Sequence, residues 1–196
     1  MKKDFNTLIC ADGGSNSAKK LNLIPDFIIG DLDSSKESTL QYFNKKSKII
    51  RITRQNDTDV EKCLKFVIKN KVREAVLLGV TGDRLDHTFC NLGIVIKFFD
   101  KIKLNIIAEN SFLTAYKSTA QLKTLPGETI SIYGFDSTTR IISKGLKFPL
   151  KNIALPFGQR ESTSNVALSN NVNLRITGGV IFVIRDYNVM KKNDLF

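Results

Sequence analysis

The stretch "IIGDLDSS", residues 28–35, begins with two β-branched residues and a glycine. Two aspartates, two positions apart, follow the glycine, and two serines end the stretch. This is typical of a buried strand that ends in a polar loop. The same pattern, usually continued by a helical stretch, repeats from Met1 to about Asn110. Its other apolar runs are "TLIC" (7–10), "KIIRI" (48–52), "EAVLLG" (74–79) and "KLNIIA" (103–108). The repetition predicts an α/β fold with a mostly parallel sheet and flanking helices.

Beyond about Asn110 the pattern changes to short strands separated by turns, such as "FLTAY" (112–116), "TISIYGF" (129–135) and "KGLKFPL" (144–150). Gly178 and Gly179 separate two further apolar runs and predict a hairpin with a two-residue turn. We therefore predict an α/β domain over residues 1–115 and an all-β sandwich domain over residues 116–196.

Two helices are predicted in the first of these domains. Between about Thr58 and Asn70, apolar residues recur at helical spacing along one face. The sequence "TDVE" (58–61) is a capping-box pattern, in which Thr58 caps the helix and Glu61 bonds back to it. A second helix begins near Asp86, and because it is apolar nearly all round we expect it to be deeply buried.

The chain has 196 residues and a formal charge of +11. Its lysines are scattered, so we expect a solvated basic surface. Attraction of an anionic small-molecule substrate is the next interpretation, and no nucleic-acid partner is expected.

The three cysteines are far apart and form no CxxC pair, which favours reduced thiols. No segment approaches the roughly 20 apolar residues of a membrane span. We expect a cytoplasmic protein without a membrane partner.

Acidic residues follow the first four apolar runs. Asp12 follows the first, Asp31 and Asp33 the second, Asp57 and Asp59 the third, and Asp83, Arg84 and Asp86 the fourth. Because parallel strands end at one edge of their sheet, we expect these loops to converge on one crevice. Carboxylates gathered there would repel unless a cation such as Mg²⁺, shared with nucleotide phosphates, held them together. The pattern predicts a magnesium–nucleotide site.

Each of these residues also has a structural interpretation. Asp31 and Asp33 suit turns, and Thr58 and Asp59 suit a helix start. Arg84 suits either a phosphate or an ion pair with Asp86. His87, the single histidine, suits a structural role as well as proton transfer.

The order of the motifs resembles the thiamine pyrophosphokinase family. The resemblance rests on "ADGGSN", "PDFIIGDLDSS", "NDTDVEKCL", "GVTGDRLDHTFCNL", "GLKFPL" and "STSN", and it extends from Ala11 to about Asn165. It implies an enzyme that transfers pyrophosphate from ATP to the hydroxyl of thiamine, giving thiamine diphosphate and AMP, with Mg²⁺ as cofactor. It further implies a nucleotide-binding α/β domain, a thiamine-binding β domain, and a homodimer whose site is shared between subunits.

The resemblance also implies roles for individual residues. The catalytic residues would be Asp31, Asp33, Asp59, Arg84 and Asp86, and the metal ligands Asp31, Asp33 and Asp59. The general base would be Asp12 or Asp86. Nucleotide or thiamine contacts would come from Asp12, Gly13, Gly14, Asn16, Gln55, Thr58, His87, Ser164 and Asn165.

The chain departs from the family pattern at three positions. Asn56 replaces a usual aspartate, Asp83 a common glycine, and Val166 a frequent glutamate. Because the chain has no Trp, any aromatic packing on thiamine must come from Phe or Tyr.

The changes at Asn56 and Asp83 could mark lost activity. A non-catalytic nucleotide- or thiamine-binding protein of the same fold is therefore the alternative hypothesis.

Overall fold

The computed structural model describes residues 5–82 and 84–196. The fold is α/β, with flanking helices and sheets that are largely mixed or antiparallel. The chain divides into two compact units: the amino-terminal unit ends at Arg73, and the carboxy-terminal unit runs from Glu74 to Phe196.

The amino-terminal unit contains a three-stranded parallel sheet in the order β1-β2-β3. Its strands are β1 (Ile9–Ala11), β2 (Phe27–Gly30) and β3 (Lys48–Arg51), and its helices are α1 (Gly14–Lys20), α2 (Glu37–Phe43) and α3 (Asp59–Lys69). The strands are paired almost without stagger, with Ile9 opposite Phe27 and Phe27 opposite Lys48. The loops that follow the three strands therefore leave the same edge of the sheet.

The predicted capping box at the start of α3 is confirmed. Glu61 N donates to Thr58 Oγ1 at 3.2 Å, and Thr58 N donates to Glu61 Oε2 at 3.0 Å. These two bonds satisfy backbone donors that the first helical turn leaves open. Since α3 packs on β1 and β2, the cap also fixes Asp59 near the ends of those strands.

The carboxy-terminal unit is built on two sheets. A four-stranded antiparallel sheet has the order β10-β9-β12-β7, and a six-stranded mixed sheet has the order β11-β8-β13-β6-β5-β4. The two helices are α4 (Leu85–Lys97) and α5 (Tyr187–Lys192). The strands are β4 (Glu74–Leu78), β5 (Lys103–Ala108), β6 (Ser111–Tyr116), β7 (Ala120–Lys123), β8 (Thr129–Tyr133), β9 (Arg140–Lys144), β10 (Lys151–Ala154), β11 (Ser162–Val166), β12 (Asn171–Thr177) and β13 (Ile181–Asp186).

The expected single, mostly parallel sheet is not observed. Parallel pairing occurs in two separate places, within β1-β2-β3 and between β4 and β5. After β5 the chain reverses direction in a tight connection at Glu109 and Asn110, where Glu109 adopts a positive φ of 33°. Strand β5 thus pairs antiparallel with β6, and β4 and β5 join the same sheet as the β strands that follow.

One buried core joins the two sheets of the carboxy-terminal unit. It includes Ile130, Ile132, Ile141, Val172 and Ile181, all fully buried. Inward and outward residues alternate along β12, as expected for a strand with one face on the core. The two sheets therefore pack face to face.

The predicted hairpin at Gly178 and Gly179 is wrong, because β12 lies in the four-stranded sheet and β13 in the six-stranded sheet. The glycines instead serve a crossing between the sheets. Gly178 has φ 93°, and a Cβ there would lie 2.5 Å from Thr138 O. A second strand prediction also fails: β9 ends at Lys144, so most of "KGLKFPL" lies outside any strand.

The expectation that α4 is deeply buried is also wrong. Ile94 and Val95 are buried, but Leu85 is 66% and Phe89 59% exposed. The helix therefore buries a single face despite its apolar composition. Within the described residues, no helix combines the length and the apolar character that a membrane span requires.

Candidate active site

Three carboxylates meet at the carboxyl ends of β1 and β2. Asp12 follows β1, and Asp31 and Asp33 follow β2; each offers an oxygen, and these oxygens lie within 4.8 Å of one another. Asp12 is buried, Asp31 is half-buried and Asp33 is exposed. Carboxylate oxygens in such a group are the donors that Mg²⁺ prefers. The residues present therefore fit the predicted ion. The group contains Asp31 and Asp33 of the predicted ligands together with Asp12, whereas Asp59, the third predicted ligand, lies outside it.

Asp12 is held by the serines of the "DSS" segment. Ser35 Oγ donates to Asp12 Oδ1 at 2.7 Å, and Ser34 N donates to Asp12 Oδ2 at 3.1 Å. These bonds compensate a carboxylate that is only 2% exposed. The hydroxyls of Ser15 and Ser35 lie 3.0 Å apart and extend the network to α1. The loops after β1 and β2 are thus held together by hydrogen bonds.

Gly30, the last residue of β2, allows this close approach. A Cβ at this position would lie 2.7 Å from Asp12 Cβ and 3.0 Å from Asp59 Oδ1. Any larger side chain would push these two aspartates away from the strand end. The glycine is therefore a steric requirement of the carboxylate group.

Replacing Gly30 by Ala should lower the free energy of unfolding by about 1–3 kcal/mol, since it overpacks a tight contact. It should also weaken binding of Mn²⁺, a spectroscopic substitute for Mg²⁺. Urea unfolding and Mn²⁺ titration measure the two effects. Gly93→Ala is the matched control, because a Cβ there meets nothing within 4 Å. Equal behaviour of the two variants would contradict the steric role of Gly30.

Lys62, which the sequence analysis missed, contacts two of the aspartates. Its Nζ lies 2.8 Å from Asp59 Oδ1 and 3.4 Å from Asp31 Oδ2. Burial lowers the pKa of Lys62, but hydrogen bonds and charges from Asp59 and Asp31 outweigh burial and raise it overall. The pKa of Asp31 is lowered, by the backbone N–H of Asp33 first and by Lys62 next. The helical i,i+3 spacing of Asp59 and Lys62 was the available sequence signal.

The remaining predicted contact residues of the amino-terminal unit lie at the start of α1 and in loops. Gly13 and Gly14 begin α1. Asn16 bonds Ser34 O at 2.9 Å and Lys36 N at 3.1 Å, which adds a further link between the two loops. Gln55 lies exposed in a turn.

Two acidic residues near the start of α3 differ in their surroundings. Asp59 faces the carboxylate group, as described above, whereas Asp57 forms ion pairs with Arg54 and Lys65. Asn56, where the family has an aspartate, is exposed in the turn before them. The side chain of Thr58 is engaged in the helix cap.

Arg84 and Asp86 form a two-pronged ion pair in the carboxy-terminal unit. Arg84 Nε donates to Asp86 Oδ1 at 2.9 Å, and Arg84 Nη2 donates to Asp86 Oδ2 at 2.6 Å. Arg84 thereby holds the pKa of Asp86 well below its ordinary value, so the paired carboxylate is a weak base. His87 is exposed in the first turn of α4. Asp83 lies outside the described residues.

Asn165 holds the "GLKFPL" segment in place. Its Oδ1 accepts from Phe148 N at 3.1 Å, and its Nδ2 donates to Phe148 O at 2.7 Å. Its Oδ1 also accepts from Val166 N, and its Nδ2 also donates to Ser162 Oγ. The buried side chain therefore fixes the backbone of Phe148, whose ring is 61% exposed.

Ser164 differs from its buried neighbour Asn165. It is exposed, has a positive φ of 54°, and its N–H donates to Ser131 Oγ at 3.0 Å. The predicted thiamine contacts of Ser164 and Asn165 stay predictions. The expected crevice of four loops rested on one shared sheet edge, and that basis does not hold for the loop with Arg84, because β4 lies in a different sheet from β1, β2 and β3.

Two family models match this chain, one in each part of the sequence. Residues 1–108 match the family model described as "Thiamin pyrophosphokinase, catalytic domain", and residues 118–181 match "Thiamin pyrophosphokinase, vitamin B1 binding domain". A relative named thiamin pyrophosphokinase 1, from Caenorhabditis elegans, is 28% identical over 95% of this chain and 82% of its own length. Thiamine pyrophosphokinase from Bacillus subtilis is 23% identical over 93% of this chain and 88% of its own length.

Solved structures support the fold. The thiamin pyrophosphokinase from Candida albicans has a TM-score of 0.83 at 18% identity, covering 94% of this chain and 82% of that one. The yeast thiamin pyrophosphokinase has a TM-score of 0.81 at 20% identity, covering 99% and 82%. Because one family model alone matches more than half of the sequence, this chain belongs to the thiamin pyrophosphokinase family.

Proposed function

We propose that this chain transfers a pyrophosphoryl group from ATP to the hydroxyl of thiamine, giving thiamine diphosphate and AMP, with Mg²⁺ as cofactor. The observation that carries the proposal is the group formed by Asp12, Asp31 and Asp33. It lies within the region that matches the family's catalytic domain. Hard oxygen ligands of this kind are typical of sites that bind a metal together with nucleotide phosphates.

Asp12, Asp31 and Asp33 would hold the ion, and Asp59 would lie beside them, paired with Lys62. When bound there, Mg²⁺ would supply positive charge that neutralises the triphosphate. Asp12 is fixed by its two serine bonds and gives the group a rigid inner side. Asp33 is exposed and gives it a side open to the nucleotide.

Arg84 and Asp86 would act as a coupled pair. If Arg84 turns from Asp86 to a phosphate, it adds a positive clamp there. The same movement removes the hydrogen bond that lowers the pKa of Asp86. Asp86 then becomes a better acceptor for the proton of the thiamine hydroxyl. We propose these roles together, because one side-chain rotation produces both.

Thiamine would bind to the carboxy-terminal β region, with residues 1–115 as the nucleotide domain and 116–196 as the thiamine domain. Ser164 presents an exposed hydroxyl, and Phe148 presents an aromatic ring on a backbone that Asn165 fixes. The ring centroid already lies 5.6 Å from Lys147 Nζ, a distance at which a cation is attracted to an aromatic face. The cationic thiazolium of thiamine suits such a ring.

Phe148→Ala should raise the KM for thiamine about tenfold or more, since stacking on an aromatic side chain contributes about 1–3 kcal/mol. The KM for ATP should change little, and initial rates with each substrate varied measure both. Phe157→Ala is the control, because Phe157 is about equally exposed, whereas it is the backbone of Phe148 that Asn165 fixes. An unchanged thiamine KM in Phe148→Ala would remove Phe148 from the thiamine site.

The reaction itself is tested with purified protein, thiamine, ATP and Mg²⁺. We expect AMP and thiamine diphosphate in equal amounts by chromatography, and no AMP when thiamine is omitted. A non-catalytic binding protein would bind thiamine or ATP in calorimetry but release no AMP. A nucleic-acid-binding protein would instead show steep salt-dependent affinity for DNA or RNA.

Two further properties belong to the same proposal. The first is a homodimer with the site shared between subunits, which sedimentation of the active protein tests. The second is a cytoplasmic location, which the three free cysteines support, since reduced thiols are typical of a reducing compartment.

A further inference from the structure

Lys62 is an unusual lysine in this chain. Its side chain is 3% exposed, and its ammonium lies between Asp59, at 2.8 Å, and Asp31, at 3.4 Å. A lysine is rarely buried to this extent unless its charge is paired. Asp59 begins α3 and Asp31 follows β2, so one ammonium joins carboxylates from two separate elements.

Lys65, three residues later on α3, differs from Lys62 in its burial. It pairs with Asp57, and its own side chain is 46% exposed, so its ammonium is open to solvent. Lys62, in contrast, contacts Asp31, whose oxygen lies within 4.8 Å of those of Asp12 and Asp33. Of these two lysines on one helix, Lys62 is therefore the one that neutralises charge within the carboxylate group.

We propose that Lys62 is a positioning residue that serves as the built-in counter-ion of this carboxylate group. In the metal-free protein its ammonium holds Asp31 and Asp59 in place, and it weakens the binding of a divalent cation to the same carboxylates. The inference rests on the proposed function, because it takes the carboxylate group to be the metal site. It adds a residue and a charge balance that the proposed metal ligands do not include.

The charge balance predicts the direction of the effect. A cation near Asp31 repels an incoming divalent ion and also neutralises the carboxylate that must bind it. Removing the charge of Lys62 should therefore tighten metal binding. It should also destabilise the metal-free protein, since Asp31 and Asp59 would no longer have a cation between them. Both effects make added metal stabilise the neutral variants more than the unmodified protein.

The experiment uses the full chain without ATP or thiamine, and it measures Mn²⁺ affinity by electron paramagnetic resonance and thermal unfolding with and without Mn²⁺. Lys62→Met removes the charge, Lys62→Gln removes the charge but keeps a hydrogen-bond donor, and Lys62→Arg keeps the charge. Lys65→Met is the matched control on the same helix.

We expect Mn²⁺ to bind about tenfold more tightly or better to Lys62→Met and Lys62→Gln, because a nearby unit charge acts strongly on a divalent ion. Lys62→Arg and Lys65→Met should stay within about threefold of the unmodified protein, since neither removes charge from the group. Turnover should fall in both neutral variants although metal binds more tightly, because Asp59, which lies outside the group of three, loses the ammonium that holds it. Replacing a purely structural lysine would not tighten Mn²⁺ binding while lowering turnover.

Unchanged or weaker Mn²⁺ binding in the neutral variants would overturn the inference. Failure of both neutral variants to fold even with Mn²⁺ present would also overturn it, because metal could not then replace the lysine charge. The result is separable from the proposed reaction. Active enzyme with unaltered Mn²⁺ affinity in Lys62→Met refutes only the role of Lys62, whereas the absence of AMP in the unmodified protein refutes the reaction.

Discussion

Asp33→Asn is expected to lower kcat by about 10²–10³-fold, the usual effect of removing one preorganised electrostatic group from an active site. Asp33 is the exposed member of the carboxylate group, and its contact with Ser34 Oγ, at 3.0 Å, does not require a charge. The amide keeps the shape of the side chain and loses the negative charge that a metal needs. Steady-state rates at saturating Mg²⁺, ATP and thiamine measure the change.

The stability of Asp33→Asn should hardly differ from that of the unmodified protein, because substitutions at exposed sites usually change it by less than about 0.5 kcal/mol. Asp26→Asn is the matched control: Asp26 precedes β2, at the opposite end of the strand, where its Oδ2 accepts from Leu8 N at 2.8 Å. That variant should keep its activity. Full Mg²⁺-dependent turnover in Asp33→Asn would exclude Asp33 from the reaction.

The largest loss of stability is expected from Arg185→Leu in the carboxy-terminal unit. Arg185 Nε donates to Glu128 Oε1 at 2.7 Å and Nη2 donates to Glu128 Oε2 at 2.9 Å, with side chains 5% and 1% exposed. Arg185 Nη2 also donates to Lys123 O at 2.6 Å. Removing the arginine leaves a buried carboxylate without its cation, which costs about 3–5 kcal/mol. Urea unfolding of the full chain measures the loss.

The double variant Arg185→Leu/Glu128→Leu separates the ion pair from packing. Because replacing both members of a buried pair by apolar residues is often neutral, the double variant should recover most of the lost stability. Lys117→Leu is the surface control, since its pair with Asp100 is at least half exposed and should contribute little. If Arg185→Leu unfolds like Lys117→Leu, the buried pair does not stabilise this unit.

Local sequence patterns predicted the elements around the carboxylate group well. Strand β2 ends at Gly30, as the stretch at 28–35 predicts, and α3 lies within one residue of its predicted ends. These features depend on short-range rules, namely strand patterning, helical spacing and the capping box. The approach of Asp12 to Asp31 followed from one more rule, that parallel strands end at a common edge.

The failures concern relations between distant parts of the chain. Gly178 and Gly179 have the local signature of a hairpin turn, and only the closeness of Thr138 explains why they join two sheets instead. Helix α4 is apolar in composition, but composition does not say how many faces are covered. Lys62 was missed because a lysine three residues after an aspartate on a helix is ordinarily a surface pair. Its burial against Asp31 depends on a loop 31 residues earlier in the chain.

Anomalous diffraction from a crystal of the full chain soaked in Mn²⁺ tests the proposed metal site directly. We predict one strong peak at about 2.0–2.3 Å from oxygens of Asp12, Asp31 and Asp33, the coordination distance of small divalent cations. A crystal with no peak in contact with these three carboxylates, or with its strongest peak elsewhere in the molecule, would contradict the proposed metal site.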